Sequence, residues 1–158
     1  MIHLWRISNH ADLAGVGGEK ADGRWHTAAM GKRIVYLSEH PAVALVETLA
    51  NLRGNPALFP QGFQLLKVQV EDEAFARRIE LVESEEQARD AQFCRQAGDA
   101  WLKNRSSALA VVPSAPSPRS LNVLLNPLHG DAPGILVAES CWIRYDKRLF
   151  HTGSSPFV

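Results

Sequence analysis

The chain predicts an α+β fold, on three observations. Its apolar residues fall into six strand-like runs and two main helical stretches. These do not follow the strict strand–helix–strand alternation of a doubly wound sheet. The 158 residues, 46% apolar and 22% charged, fit one domain that buries about 68–70% of its unfolded surface, with no repeat, heptad or low-complexity block.

Ile2 to Ile7 sets Ile2 and Leu4 against His3 and Trp5 and reads as the first strand. A polar stretch from Ser8 to Lys32 follows, with Gly15, Gly17, Gly18, Gly23 and Gly31; connections this long are uncommon unless they bind something. Arg33 to Leu37 is β-branched and aromatic, a second strand. Ser38 or His40 opens a helix, with Pro41 in the first turn where its missing N–H costs nothing, and the helix ends near Gly54. Ala42, Leu45, Val46, Leu49 and Leu52 recur at helical spacing and are expected to face the core. Gly62 to Val70 is a third strand. Glu71 to Asp90 is charged and weakly periodic, a region of turns and short helical pieces. Gln92 to Asn104 forms a second helix carrying Trp101. Leu109 to Val112 is a buried strand stopped by Pro113, and Ser114 to Pro118 is an ordered turn region. Leu121 to Leu125 and Ile135 to Ile143 complete the strands.

Seventeen Lys and Arg balance seventeen Asp and Glu, so no direct nucleic-acid contact through a basic surface is expected. Cys94 and Cys141 are too few for a disulfide framework and lack the spacing of a zinc or redox pair. No apolar run approaches the roughly 18 residues of a membrane span. Met1 to Arg6 lacks a basic region followed by an apolar core, so the expectation is a soluble, cytoplasmic protein without membrane contact. Gly15-Val16-Gly17-Gly18 follows a strand but precedes no helix signal, which excludes a dinucleotide fingerprint, and Gly31-Lys32 lacks the rest of a phosphate-binding loop. The six histidines show no ligand spacing, and no metal is implied.

Four places carry candidate chemistry. Arg24, inside Gly23-Arg24-Trp25-His26, can offer a planar fork to a phosphate or carboxylate; the alternative is a surface arginine beside a core tryptophan. Glu47 shares a helix face with Val43, Ala44, Ala50 and Asn51, and a carboxylate among small residues leaves room for a ligand; the alternative is a solvated mid-helix glutamate. Tyr36 can stack on a flat ring, or pack its ring and wet its hydroxyl. Ser114 sits directly after a buried strand, with Asn122 further on. No Gly-x-Ser-x-Gly elbow or assignable partner supports a nucleophile there, and capping or turn formation is the default for both residues.

Together these residues resemble the RES family, named for its Arg, Glu and Ser, whose members are toxins paired with Xre-type helix-turn-helix antitoxins. The resemblance runs from Leu4-Trp5-Arg6-Ile7 through Gly23-Arg24-Trp25-His26, Val35-Tyr36-Leu37 and Leu45-Val46-Glu47-Thr48-Leu49. It continues through Gly98-Asp99-Ala100-Trp101-Leu102, Val112-Pro113-Ser114-Ala115 and Asn122 to His129, and closes at Asp146-Lys147-Arg148-Leu149-Phe150.

The resemblance implies a RES domain over residues 1–150 and a C-terminal tail over 151–158. It implies a fold similar to that of ADP-ribosyltransferase toxins, with central antiparallel or mixed sheets flanked by helices, and NAD+ as substrate with no metal. The family arginine, tyrosine, glutamate and serine match Arg24, Tyr36, Glu47 and Ser114. On this reading Glu47, Arg24 and Tyr36 are catalytic, and Arg24, Tyr36, Asn51, Ser114 and Asn122 bind NAD+. Many members carry His one helical turn after the glutamate, where this chain has Asn51; Asn donates a hydrogen bond but is no acid or base near neutral pH. The implied outcome is cleavage of the nicotinamide–ribose bond by water or phosphate, which depletes NAD+ and arrests growth. Mono-ADP-ribosylation of a protein acceptor is the alternative, and a non-catalytic binding module the lesser one. The implied partner is a cognate Xre-type antitoxin, in a complex compatible with a toxin homodimer.

Overall fold

A computed structural model describes residues 1–53 and 61–150. Gly54, where the sequence predicts the end of the first helix, and the tail 151–158 lie outside the described residues. The strands are β1 (Ile2–Ile7), β2 (Val35–Ser38), β3 (Gly62–Val70), β4 (Ile79–Glu80), β5 (Leu109–Pro113), β6 (Leu121–Leu125) and β7 (Leu136–Arg144). The helices are α1 (Pro41–Asn51), α2 (Asp72–Ala76), α3 (Glu85–Arg89) and α4 (Ala91–Asn104). Among the described residues, the seven strands form one mixed sheet in the order β4-β5-β6-β2-β1-β3-β7. Only β4 and β5 run parallel. The α+β class is as expected.

β5 and the Val123–Leu125 end of β6 read as apolar runs because both faces of the sheet are covered there. Leu109, Val111, Val123 and Leu125 join a back-face core with Leu4, Val35, Leu37, Leu66 and Val68. Ala110, Val112 and Leu124 point the other way, into a cluster with Trp25, Ile34 and the α4 residues Cys94, Trp101 and Leu102. On that same face Phe63, Leu65 and Tyr145 pack with Trp5, Ile7 and Leu45 of α1. So α1 covers β1 and β3, α4 covers β5 and β6, and β2 lies between the helices. β1 pairs with β3 along its whole length, and β2 with β6 likewise. β1 and β2 share only one paired position, Trp5 with Ser38, and part beyond it.

Three sequence expectations are corrected. There are seven strands rather than six, because two residues of the charged run, Ile79 and Glu80, pair with Ala110 and Val111. β2 starts at Val35 rather than Arg33: Ile34 is spent in the α4-side cluster, and Arg33 turns to Glu19 at 2.6 Å. Of the two helix-opening residues expected, the cap is His40, whose Nδ1 accepts from the Ala42 N–H at 3.1 Å, while Ser38 stays in the sheet. The buried residues of α1 are Val43 and Ala44; Ala42 is exposed, and Leu45, Val46, Leu49 and Leu52 are half-buried. Small side chains let the helix approach the sheet closely, and this puts Glu47 on the inward face.

The loop before β2 is held to α4 by two devices. Asp99 accepts from the Thr27 N–H, the Thr27 hydroxyl and Lys32 Nζ, each at 2.8 Å. Burial alone would raise the Asp99 carboxyl, but the bonds from Lys32 and Thr27 outweigh it and hold it below its ordinary value. Beside it, a Cβ on Gly98 would lie 1.7 Å from the Trp25 carbonyl oxygen, so no other residue allows this approach. Gly98→Ala is therefore expected to destabilise the protein by about 1–3 kcal/mol, although alanine is ordinarily better in a helix by about 1 kcal/mol. Urea unfolding reads this directly. An unchanged or higher midpoint would mean that the loop and helix do not touch this closely.

Candidate functional site

Where β1 and β2 part, a cavity of about 120 Å³ opens on the helix-covered face. Arg6 and Ile7 line it from β1, Tyr36 and Ser38 from β2, Asn122 from β6, and Glu47 and Asn51 from α1. Backbone that a continuous sheet would bury in a ladder is here replaced by a polar cleft.

Glu47 is the centre of its hydrogen bonding. Its Oε1 accepts from Ser114 Oγ at 2.8 Å and from Asn122 Nδ2 at 2.5 Å. Asn122 Oδ1 in turn accepts from Ser38 Oγ at 2.8 Å. This fixes the amide orientation, since the reverse would set Oδ1 against the carboxylate. Two donors on one oxygen hold the carboxylate in place, and Oε2 has no hydrogen-bond partner among the described residues. Glu47 is thus not a freely solvated mid-helix glutamate, and the amide of Asn122 serves the site rather than a turn. Ser114 does both: its Oγ also accepts from the Ser117 N–H at 3.3 Å.

Tyr36 does not wet its hydroxyl. The oxygen accepts from the Trp25 N–H at 3.2 Å and lies 2.7 Å from His26 Nδ1. His26 Nε2 lies 3.1 Å from the Gly18 carbonyl, which can only accept, so the ring proton sits on Nε2. In the neutral ring Nδ1 then accepts the Tyr36 O–H. Gly23 makes room for this pair, because a Cβ there would fall within 3 Å of both the Tyr36 hydroxyl and His26 Nδ1. The ring of Tyr36 is left as a fixed wall of the cleft.

Arg24 stands apart from Glu47. It is half-buried and donates from Nη2 to the Ala88 carbonyl at 2.6 Å. It lines a neighbouring cavity of about 250 Å³ together with Ser114, Arg89 and Arg119. Ser114 borders that cavity and bonds to Glu47 in the other, so it joins the two. The structure thus gathers Glu47, Ser114 and Asn122 by direct bonds, sets Tyr36 and Asn51 on the same cavity, and places Arg24 next door. Sequence reasoning misses Ser38, His26 and Arg6. Arg6 is, among the described residues, the cation that lines the Glu47 cavity; burial lowers its pKa, against the pull of nearby Asp12, and Nη1 donates to the Asp12 carbonyl at 3.1 Å.

Comparison with known proteins gives a consistent picture. The RES domain model matches residues 3–146. A Pseudomonas putida protein named Toxin Res is 36% identical over 147 residues, covering 93% of this chain and 99% of that one. A Sphingobium protein named Prs ADP-ribosylating toxin is 31% identical over 157 residues, covering 92% and 95%. The toxin–antitoxin complex MbcT–MbcA of M. tuberculosis contains a chain of similar fold, with a TM-score of 0.67 at 16% identity, over 90% of this chain and 84% of that one. The fold is thus shared with a chain of that complex.

The chain's two tyrosines are both pushed upward by burial, Tyr36 far above its ordinary range and Tyr145 in the same direction. A raised folded-state value for a phenol gives stability that is full below the unfolded value of about 10 and is lost as pH rises through it toward the folded value. Absorbance titration, read as the difference from Tyr36→Phe, is expected to show little ionisation of Tyr36 at about pH 10 in folded protein, its signal appearing together with loss of the far-ultraviolet circular dichroism. A Tyr36 tyrosinate step with the fold intact would contradict the enclosed hydroxyl. Tyr36→Phe is expected to cost about 1–3 kcal/mol, because it strips the Trp25 N–H of its acceptor.

Proposed function

The chain belongs to the RES domain family, and from that premise we propose that it is the toxin of a toxin–antitoxin pair and breaks the nicotinamide–ribose bond of NAD+. The observation that carries this reading is the Glu47 carboxylate, pinned through one oxygen by Ser114 and Asn122 and free at the other, in a cleft that also holds Arg6. The names of the Pseudomonas and Sphingobium relatives support the toxin assignment.

As the bond lengthens, positive charge grows on the ribose as in glycoside hydrolysis, and nicotinamide leaves as a neutral base with the bonding electron pair. The unengaged oxygen of Glu47 meets the ribose hydroxyls and that growing charge. Ser114 and Asn122 hold the carboxylate in advance, so it needs little reorganisation. The leaving group is already cationic and requires no strong acid, so Asn51 in place of a histidine is tolerable; its amide can bond to the ligand. Tyr36 offers a fixed ring face to nicotinamide or ribose. Arg6 and Arg24, on adjoining cavities bridged by Ser114, suit the two ends of the pyrophosphate. Water or phosphate then forms the new C–O bond, and NAD+ is consumed.

Transfer of ADP-ribose to a protein side chain is the second reading, favoured by the name of the Sphingobium relative at 31% identity. Inhibition by a cognate antitoxin of Xre type, with a segment entering the cleft, completes the proposal. The MbcT-like fold is consistent with it.

Purified protein incubated with NAD+, with and without phosphate, and resolved by mass spectrometry tests the reading. Free nicotinamide with ADP-ribose or its phosphate is expected. Glu47→Gln should lower turnover by about 10²–10³-fold with binding largely kept, and Arg6→Ala should weaken NAD+ binding several-fold. Labelling of a lysate protein instead would select the second reading. Intact NAD+ in both assays would leave a binding module and overturn the proposal.

A further inference from the structure

A second cavity, of about 510 Å³, lies away from the Glu47 cleft. It sits at the Arg33 and Asn126 ends of β2 and β6, whereas the cleft sits at their Ser38 and Asn122 ends. Four residue steps along β6, about 13 Å, separate Asn126 from Asn122. Its size is that of a ligand site, for which about 300–1,000 Å³ is usual.

The lining is basic and apolar at once. Lys32 is neutralised by Asp99 at 2.8 Å and Arg33 by Glu19 at 2.6 Å. Lys103 and Arg105 are exposed and have no ion pair or side-chain hydrogen bond among the described residues. Their backbone is nonetheless fixed: Arg105 caps α4 in the left-handed conformation, φ 49°, with its N–H on the Trp101 carbonyl. Met30, 97% exposed, and Leu128, 46% exposed, flank the same cavity. A chain with no net charge thus concentrates two uncompensated cations beside two unburied apolar side chains.

We propose that this groove docks an acidic peptide segment of a protein partner, its carboxylates on Lys103 and Arg105 and an apolar side chain between Met30 and Leu128. Charge complementarity selects the acidic character, and the exposed apolar pair calls for more than a bare anion. A nucleic acid fits less well, since no aromatic ring among the described residues lines the cavity for bases to stack on and two free cations neutralise little phosphate. Being remote from Glu47, the groove holds its partner without filling the cleft, and the inference does not rest on the NAD+ reading.

The test uses a fluorescent peptide of alternating glutamate and leucine, a lysine–leucine counterpart, and a labelled single-stranded oligonucleotide, each titrated against the full chain. The acidic peptide is expected to bind preferentially, and to weaken several-fold as salt rises from about 50 to about 500 mM. The double variant K103E/R105E, shown to fold by circular dichroism, should lose acidic-peptide binding by about tenfold or more and gain the lysine peptide. Glu47→Gln should bind as the wild type does. Met30→Ser should weaken the acidic peptide while leaving the salt dependence. Equal binding of both peptides, preference for the oligonucleotide, no binding, or unchanged binding in K103E/R105E would each overturn the proposal.

Discussion

The parting of β1 from β2 after a single paired position is the constraint on which the molecule is arranged. Each strand has a full ladder on its other side, with β3 and with β6, so neither depends on the other for its register. That independence lets the sheet open locally without losing strands. Opening exposes polar backbone, and the chain answers with polar side chains: Ser38, Asn122, Glu47 and Arg6 border the gap.

Support for the cleft runs outward in layers. Glu47 depends on Ser114 and Asn122, and Asn122 is oriented by Ser38. The Tyr36 wall depends on His26 and on the Trp25 amide, both in the loop that α4 grips through Asp99 and the bare Cα of Gly98. Residues that never meet a ligand thereby set the position of those that do. No helix among the described residues is long and apolar enough to cross a membrane, and the apolar surface of α1 and α4 is spent on the sheet.

Most of the fold was legible because its signals are local. Alternation in β1, the apolar run of β5 and Pro41 in the first turn of α1 depend on neighbours in sequence. β4 was not, because Ile79 and Glu80 are a strand only through a partner some thirty residues away, Ala110 and Val111. The face of α1 was misread for a related reason. The leucine stripe is the stronger periodic signal, yet close approach to the sheet favours Val43 and Ala44. At the site, Glu47, Ser114 and Asn122 could be named from residue type and family likeness. Arg6, Ser38 and His26 could not, since strand position and helix-opening chemistry gave each an ordinary explanation. Their placement is a matter of register between distant segments, such as Trp5 against Ser38.

The gap between β1 and β2 is backed on the far face of the sheet by core that continues from Leu4 and Leu66 on one side to Val35 and Val123 on the other. Among the described residues the cleft therefore has a packed floor, and a molecule beside Glu47 comes and goes on the helix-covered face rather than through the sheet. On the proposed chemistry, the departing base and the attacking water or phosphate approach the ribose from that one side of the sheet.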